Sequence, residues 1–477
     1  MGWASRIWGL LQIVATLAVT VLAILAATRT TTFLGTAEHW AADVRVSEFS
    51  APRGISEKIV VAAITEETLA TFPYRSPVDR GFVARLLSDL EAKGARAIGL
   101  DMLLDQPTEK EKDEALAAAL RSLAIPMVVA SADAEEGLSA EQAAFLNDYL
   151  EGVETAPANF AKDPIDGTVR WIFPGKIKDG RLHPGLATAI AGHFGIKAPG
   201  RLVPIVYGAA DSPNIHPFRT YLAHEIGVLP KSWFDGKIVL VGADLPLIDR
   251  HRTPFAATRG IARGSLPGVV IHAYVLEQLL EGRTPWEIGL IQEAALLLAL
   301  ALIAAALARF DMPLPAKTVL NLFVIAALWG GGIALYRFAG AMIPVVSPGL
   351  VFISSFGIAT AYYRRRERQL KRFLRRAFSQ YVSPSVVDRL VADPGRLSLG
   401  GEKRRLSIVF SDLAGFTTIC EHTDPPRLVP VLNAYLDGLS QILIDHGGTL
   451  DGIAGDSVYG FFGAPEDQPD HAERAVA

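Results

Sequence analysis

The sequence predicts an α/β domain, four membrane-spanning helices that flank it, and an α+β segment at the carboxyl end. Three observations carry that prediction. Four nearly uninterrupted apolar runs have the ~20-residue length that crosses a hydrocarbon core as a helix. Between the first and second runs, residues 29–285 alternate strand-like and helix-like patterns, as a layered α/β domain does. Beyond a cluster of arginines, residues 404–465 read as strand, amphipathic helix and hairpin in that order.

Composition bounds the function. The chain has 477 residues, 50% of them hydrophobic, so it is too long for one core and apolar enough for part of it to lie in lipid. A net charge of -4 is near neutral, and no nucleic-acid partner is expected. Cys420 is the single cysteine, which excludes an intrachain disulfide and gives no redox or metal-thiolate reading.

The first apolar run, Ile7 to Ala27 after Arg6, is expected to be an uncleaved anchor within residues 1–28. A cleaved signal peptide is the alternative, since Leu25-Ala26-Ala27 offers small residues. In residues 29–285, strands are expected over Lys58 to Ile64, Ala95 to Leu100, Ile125 to Ala130 and Lys237 to Ala243. Helices are expected over Arg80 to Lys93 and Lys110 to Ser122. Such alternation predicts a substantially parallel sheet, with any ligand beyond the carboxyl ends of its strands. Glu66, Glu67, Arg75, Asp101, Asp244, Asp249 and Arg250 fall there, either lining a site or capping and pairing on a solvated rim.

Residues 286–363 hold three more runs: Ile288 to Ala308, Val319 to Tyr336 and Met342 to Tyr363. Glu293 and Asn321 inside them are expected to face other helices, and Gly330-Gly331-Gly332, Pro344 and Pro348 make the spans kink-prone. Arg364, Arg365, Arg366, Arg368, Lys371, Arg372, Arg375 and Arg376 crowd the end of the last run, which the positive-inside rule places in the cytoplasm. Counting back puts residues 29–285 on the outer side of the membrane and the N-terminus inside. Residues 364–403 then form a basic linker with a second short helix at Ser385 to Val391, for which a plain tether is one reading.

In residues 404–477, Arg405 to Phe410 reads as a buried strand that delivers Ser411-Asp412 to its carboxyl end, and Ala414 to Thr417 as a small-residue loop. Asp424-Pro425 opens a helix with Leu428, Leu432, Tyr435, Leu436, Leu439, Ile442 and Leu443 on one face. Gly447-Gly448 stops it, and strands Thr449 to Ala454 and Ser457 to Phe462 flank the turn Gly455-Asp456. Asp412 and Asp456 are thus brought forward as a carboxylate pair.

The passages FSDLAGFTT and GTLDGIAGDSVYGFFGAP closely resemble the start of the class III nucleotide cyclase catalytic domain. KIVVAAITEETLATFPYRSPVDRGFVARLLSDLEAKGARAIGLDMLL, DGKIVLVGADLPLIDRHRTPF and PGVVIHAYVLEQLLEGR resemble the CHASE sensor domain of the second type. The first resemblance implies a ferredoxin-like, palm-type domain acting as a homodimer, and a transducing segment as the other reading of residues 364–403. It further implies conversion of ATP to cyclic AMP and pyrophosphate, with two Mg²⁺ or Mn²⁺ on Asp412, Asp456 and the Leu413 carbonyl. It also implies nucleotide contacts from Leu413, Ala414, Gly415, Phe416, Thr417 and Gly452. The second implies an extracytoplasmic sensor with an unidentified ligand or partner.

Leu450-Asp451 is followed by Gly452 where adenylyl-specific members hold a lysine, so a relaxed or guanine preference stays open, as does a non-catalytic receptor using a degenerate domain for dimerisation or nucleotide sensing. The family's second base-selecting residue and its transition-state asparagine and arginine are expected beyond Ala477, which makes residues 404–477 the first part of such a domain.

Overall fold

The computed structural model describes residues 3–178, 180–208, 216–378, 403–464 and 467–477. The helix expected at Ser385 to Val391 and the end of the hairpin stretch at Pro465 lie outside them. The chain forms two units, Met1–Phe356 and Gly357–Ala477.

In the first unit, helix α1 (Trp3–Thr30) is followed after one residue by α2 (Thr32–Phe49). The α/β core contains β1 (Ile59–Ile64), α3 (Arg80–Ala92), β2 (Ala97–Asp101), α4 (Lys110–Ser122), β3 (Met127–Ser131), β4 (Thr155–Pro157), α5 (Leu186–Gly192), β5 (Arg219–Leu222), β6 (Ile238–Ala243) and α6 (Gly268–Leu280). Its six strands run in the order β4-β3-β2-β6-β1-β5, and every ladder is parallel. The expected parallel sheet is present.

Burial explains why these segments read as continuous apolar runs. Every residue of Ile59–Ile64 is buried, so the alternating side chains of one strand enter two different cores. Ile59, Val61 and Ala63 pack with α5 and α6, whereas Val60, Ala62 and Ile64 pack with α3 and α4. Helix α3 begins where Asp79 accepts the Phe82 N–H at 2.8 Å, an N-cap. Helix α6 is buried from Gly268 through Gln278. It is an apolar core helix of 13 residues, too short to span a bilayer.

Three further helices follow: α7 (Leu290–Leu307), α8 (Leu314–Ala339) and α9 (Val346–Phe378). Among the described residues four helices are long and apolar enough to cross a membrane, at Leu11–Thr30, Leu290–Leu307, Leu314–Ala339 and Val346–Phe373. The last begins at Val346 rather than Met342, because Pro344 precedes it, and Pro348 sits in its first turn, where no intrahelical N–H is needed. The three glycines do not break α8. Gly332 instead admits Val345, whose Cγ1 would lie 2.6 Å from an added Cβ. Glu293 is buried in the first turn of α7 and pairs with Arg29 at the end of α1 at 2.6 Å, while Asn321 bonds its own helix at Lys317 O.

The second unit contains β7 (Ser407–Ser411), α10 (Phe416–His422), α11 (Pro425–Asp445), β8 (Thr449–Ala454) and β9 (Ser457–Phe462), and its three strands form an antiparallel sheet in the order β7-β9-β8. Leu436 and Leu443 of α11 pack on Leu450, Val458 and Phe462, with Leu432, Tyr435 and Leu439 partly buried beside them. That is most of the expected apolar face. The buried strand expected from Arg405 starts at Ser407 and is not buried: Val409 packs toward the core under α11, whereas Ile408 and Phe410 on the other face are exposed. The expected loop Ala414 to Thr417 is corrected as well: Gly415 adopts a left-handed φ of 77° and caps a helix, so Phe416 and Thr417 lie in a helical first turn.

Candidate functional site

The β7-β9 ladder ends at the Ser411↔Val458 pair, so the chain leaves β7 at Asp412 beside the Gly455-Asp456 turn that enters β9. Each aspartate is hydrogen-bonded to the other's chain neighbour. Ser457 Oγ donates to Asp412 Oδ1 at 2.7 Å, and Leu413 N–H donates to Asp456 Oδ2 at 3.3 Å. Asp412 is exposed and Asp456 half-buried, and neither meets a Lys, Arg or His among the described residues. Two oxygens, Asp412 Oδ2 and Asp456 Oδ1, are left to accept something else.

The donor set suits a hard divalent cation only in part. Among the described residues no group of three or more His, Cys, Asp or Glu is placed to hold a metal. Mg²⁺ commonly takes one or two carboxylates and fills the rest of its shell with substrate phosphates and water, a demand this pair meets. The Leu413 carbonyl accepts the Phe416 N–H at 3.2 Å and keeps its second lone pair. Ala414, Gly415 and Thr417, which follow Leu413 in the chain, are exposed.

Gly452 lies elsewhere on this sheet. A bulge between Leu450 and Gly452 sets Gly452 opposite Tyr459, whose ring stacks on Phe410 at 5.7 Å. A Cβ on Gly452 would lie 2.6 Å from Tyr459 Oη. Tyr459 therefore occupies the space a longer side chain at 452 would need. The sequence reading did not single it out, and only the bulged register brings it there.

At the strand ends of the first unit, the rim residues separate. Glu66 pairs with Arg75, Asp244 with Arg250 at 2.9 Å, and Asp249 with His251 at 2.9 Å. Glu67 lies in the first turn of a short helix capped by Thr65. Among the described residues Asp101 pairs with no Lys or Arg, and His272 Nε2 lies 3.9 Å from its Oδ2. Burial, and then the charge of Asp249, push the Asp101 carboxyl well above the usual carboxylate range. Burial pushes the His272 imidazole down to about 4, which keeps it neutral.

A family model described as the CHASE2 domain matches residues 16–308, more than half of the chain. The chain belongs to the CHASE2 family.

Adenylate cyclase 1 of Rhizobium meliloti is 31% identical over 98 residues, covering 20% of this chain and 15% of that protein. An uncharacterized protein of Mycobacterium tuberculosis is 32% identical over 116 residues, covering 24% of this chain and 20% of its own length. The crystal structure of the guanylyl cyclase Cya2 matches at 44% identity over 17% of this chain and 40% of that one, with a TM-score of 0.16 that carries no statement about the fold. The chain thus spans a fifth or less of these two relatives' own lengths. What the comparisons show is a CHASE2 domain in a chain with homology to nucleotide cyclases.

The α/β core is tied through α2 to the start of α9. Arg170, itself buried, holds Asp43 of α2 through Nε at 2.9 Å and Nη2 at 2.6 Å, and holds Asp166 through Nη2 at 2.7 Å. Burial pushes the Asp166 carboxyl up, but its bonds from Arg170 and the Thr168 N–H hold it well below the usual range. From the same helix, Glu38 accepts the N–H groups of Val345 at 2.6 Å, Val346 at 3.1 Å and Ser347 at 2.9 Å, where α9 begins. Arg45 Nη1 donates to Ile343 O at 2.7 Å. Helix α2 is not foreseen from the sequence, although His39, Asp43 and Arg45 are charged or titratable residues within one helical segment.

Proposed function

We propose that this CHASE2 protein is a bacterial inner-membrane receptor cyclase that converts ATP to cyclic AMP and pyrophosphate in its cytoplasmic segment, as a homodimer. The observation that carries the reading is the mutual tethering of Asp412 and Asp456. Two carboxylates with an uncommitted oxygen each, at one end of a hairpin, suit a highly anionic triphosphate held through divalent cations. Two Mg²⁺ or Mn²⁺ would supply Lewis-acid activation of the ribose 3′-hydroxyl and neutralise the departing pyrophosphate.

The chain's own residues hold and orient. Ser457 fixes the rotamer of Asp412 through Oδ1, and the Leu413 N–H fixes Asp456 through Oδ2. The left-handed Gly415 turns the chain so that Ala414, Gly415 and the first residues of α10 border the pair, where small side chains allow phosphate oxygens to approach the backbone. Control would run from the CHASE2 domain through α2 to the start of α9, which continues unbroken from Val346 to Phe378.

A second reading, weak or guanine-leaning base selection, is favoured by Gly452 and by Tyr459 standing over it. The test is nucleotide conversion in membranes carrying the full-length gene product, with ATP and GTP in competition, for the wild type, Asp412→Asn and Asp456→Asn. Loss of product in both variants supports the pair, and substantial residual activity in both removes it.

A further inference from the structure

A cavity of about 670 Å³ opens at the carboxyl ends of β2, β3, β4 and β6, where parallel sheets take their ligands. Its acidic groups are unusual. Asp101 Oδ2 is buried without a hydrogen-bond partner, and so is His272 Nε2. Asp249 has a φ of 52°, the one positive value at a non-glycine residue among the described residues. Backbone held in this sparsely populated region persists only where the surroundings impose it, and such residues gather at ligand sites.

The surroundings here are Gly268, whose N–H donates to Asp249 O at 2.9 Å. An added Cβ on Gly268 would lie 2.5 Å from Asp249 Oδ2, so the glycine leaves room for the carboxylate. The fold thus bends its backbone to keep a second carboxylate near a buried one.

Charge decides the class of ligand. Arg80 lines the cavity but is committed to Asp113 at 2.9 Å and to Gln106 O. Lys162 also lines it, from an exposed position. Asp105 and Glu136 add further acid, held by Gln142 and Lys176 respectively. Neither Asp101 nor Asp249 meets a Lys or Arg among the described residues; Asp249 Oδ1 meets only the imidazole of His251 at 2.9 Å, which leaves its Oδ2 uncommitted, and Asp101 Oδ2 lies 3.9 Å from His272 Nε2. A bare metal ion fits poorly, since no three ligating groups converge among the described residues and the space is far larger than an ion. The walls include Met102, Ile248 and Phe160, the last with its ring centroid 4.6 Å from those of His251 and His272.

We propose that this cavity is the sensor's ligand site and takes a small organic cation, its ammonium group seated between Asp101 and Asp249 and its apolar body against Phe160, Met102 and Ile248. The raised protonation of Asp101 fits this assignment, because a proton neutralises in the empty site what an ammonium would neutralise in the filled one. The inference rests on the domain's sensor role and not on the cyclase chemistry, so a binding assay tests it separately.

The assay is calorimetry on the detergent-solubilised chain with phenethylammonium, and with phenethyl alcohol and hydrocinnamate as neutral and anionic counterparts. The proposal expects saturable binding of phenethylammonium alone, at one per chain. It further expects Asp101→Asn and Asp249→Gly each to weaken that binding about tenfold, the loss of one charge-assisted contact. Asp249→Gly keeps the left-handed backbone available while removing the carboxylate, so a folding defect and a binding defect stay distinguishable by melting temperature. No saturable binding of the ammonium, equal or tighter binding of either counterpart, or binding unchanged in both folded variants would overturn it.

Discussion

Removing the Glu38 carboxylate should loosen the start of α9. Three consecutive backbone N–H groups, of Val345, Val346 and Ser347, converge on its two oxygens. These are orphan donors of a helix N-terminus, and a carboxylate there gains both their hydrogen bonds and the favourable end of the helix dipole. Pro348 follows with no N–H of its own, so the chain offers few substitutes. Losing such a cap costs ~1–2 kcal/mol of local stability, a factor of roughly 5–30 in an opening equilibrium. Amide hydrogen exchange of the peptide covering Ile343 to Gly349 should therefore speed up by about that factor in Glu38→Ala. Glu38→Gln, which keeps one acceptor oxygen, should fall between. The core that contains no residue of α2, such as Leu86 to Leu90 of α3, should exchange as before. Unchanged exchange at Val345 to Ser347 in Glu38→Ala would refute the claim that α2 holds α9 through this contact.

Other outcomes follow from the same geometry. His272 is held neutral with a pKa of about 4 against an unfolded value of 6.5, so its contribution to stability is present above pH 6.5 and is lost as pH falls toward 4. His272→Gln should flatten that limb of a stability-versus-pH curve, whose slope from this residue is at most ~1.4 kcal/mol per pH unit; an unchanged slope would contradict the assignment. Gly452→Ala should destabilise the second unit by ~1–3 kcal/mol through collision with Tyr459, and a further Tyr459→Ala should recover part of the loss in chemical denaturation. If Gly452→Ala alone is neutral, Tyr459 does not fill that space. Reporter fusions at Gly200 and at Gly401 should report export and cytoplasm respectively; the reverse pattern would invert the receptor reading.

Much of the architecture was legible because it is written in local periodicity. The helix Lys110–Ser122 falls on its expected bounds, and the strands at Ile59, Ala97, Met127 and Ile238 lie within two residues of theirs. The pairing of Asp412 with Asp456 was legible too, since strand end and hairpin turn are sequence-local features that a three-stranded sheet must juxtapose. Less visible were features fixed by tertiary contact. Phe416 and Thr417 look like loop beside Ala414 and Gly415, yet the left-handed Gly415 starts a helix there.

Asp101 and Asp249 were visible as rim residues, but nothing local says that one is buried without a partner and the other held at positive φ over Gly268. Helix α2 carries too few apolar residues at regular spacing to declare itself. Its buried positions include Asp43, Arg45 and Ser47, polar groups that are buried only because partners on other elements satisfy them.

If a CHASE2 sensor governs a nucleotide cyclase whose metal-holding pair is Asp412 and Asp456, cyclic nucleotide should form from ATP, with Mg²⁺ or Mn²⁺, in membranes bearing the full-length gene product, and not from its Asp412→Asn and Asp456→Asn variants at equal abundance. The expected result is metal-dependent cyclic AMP from the wild type and its loss in each variant, a transition-state deficit of several kcal/mol. Equal product from the wild type and both variants, or none from a wild type that is folded and dimeric, would contradict it.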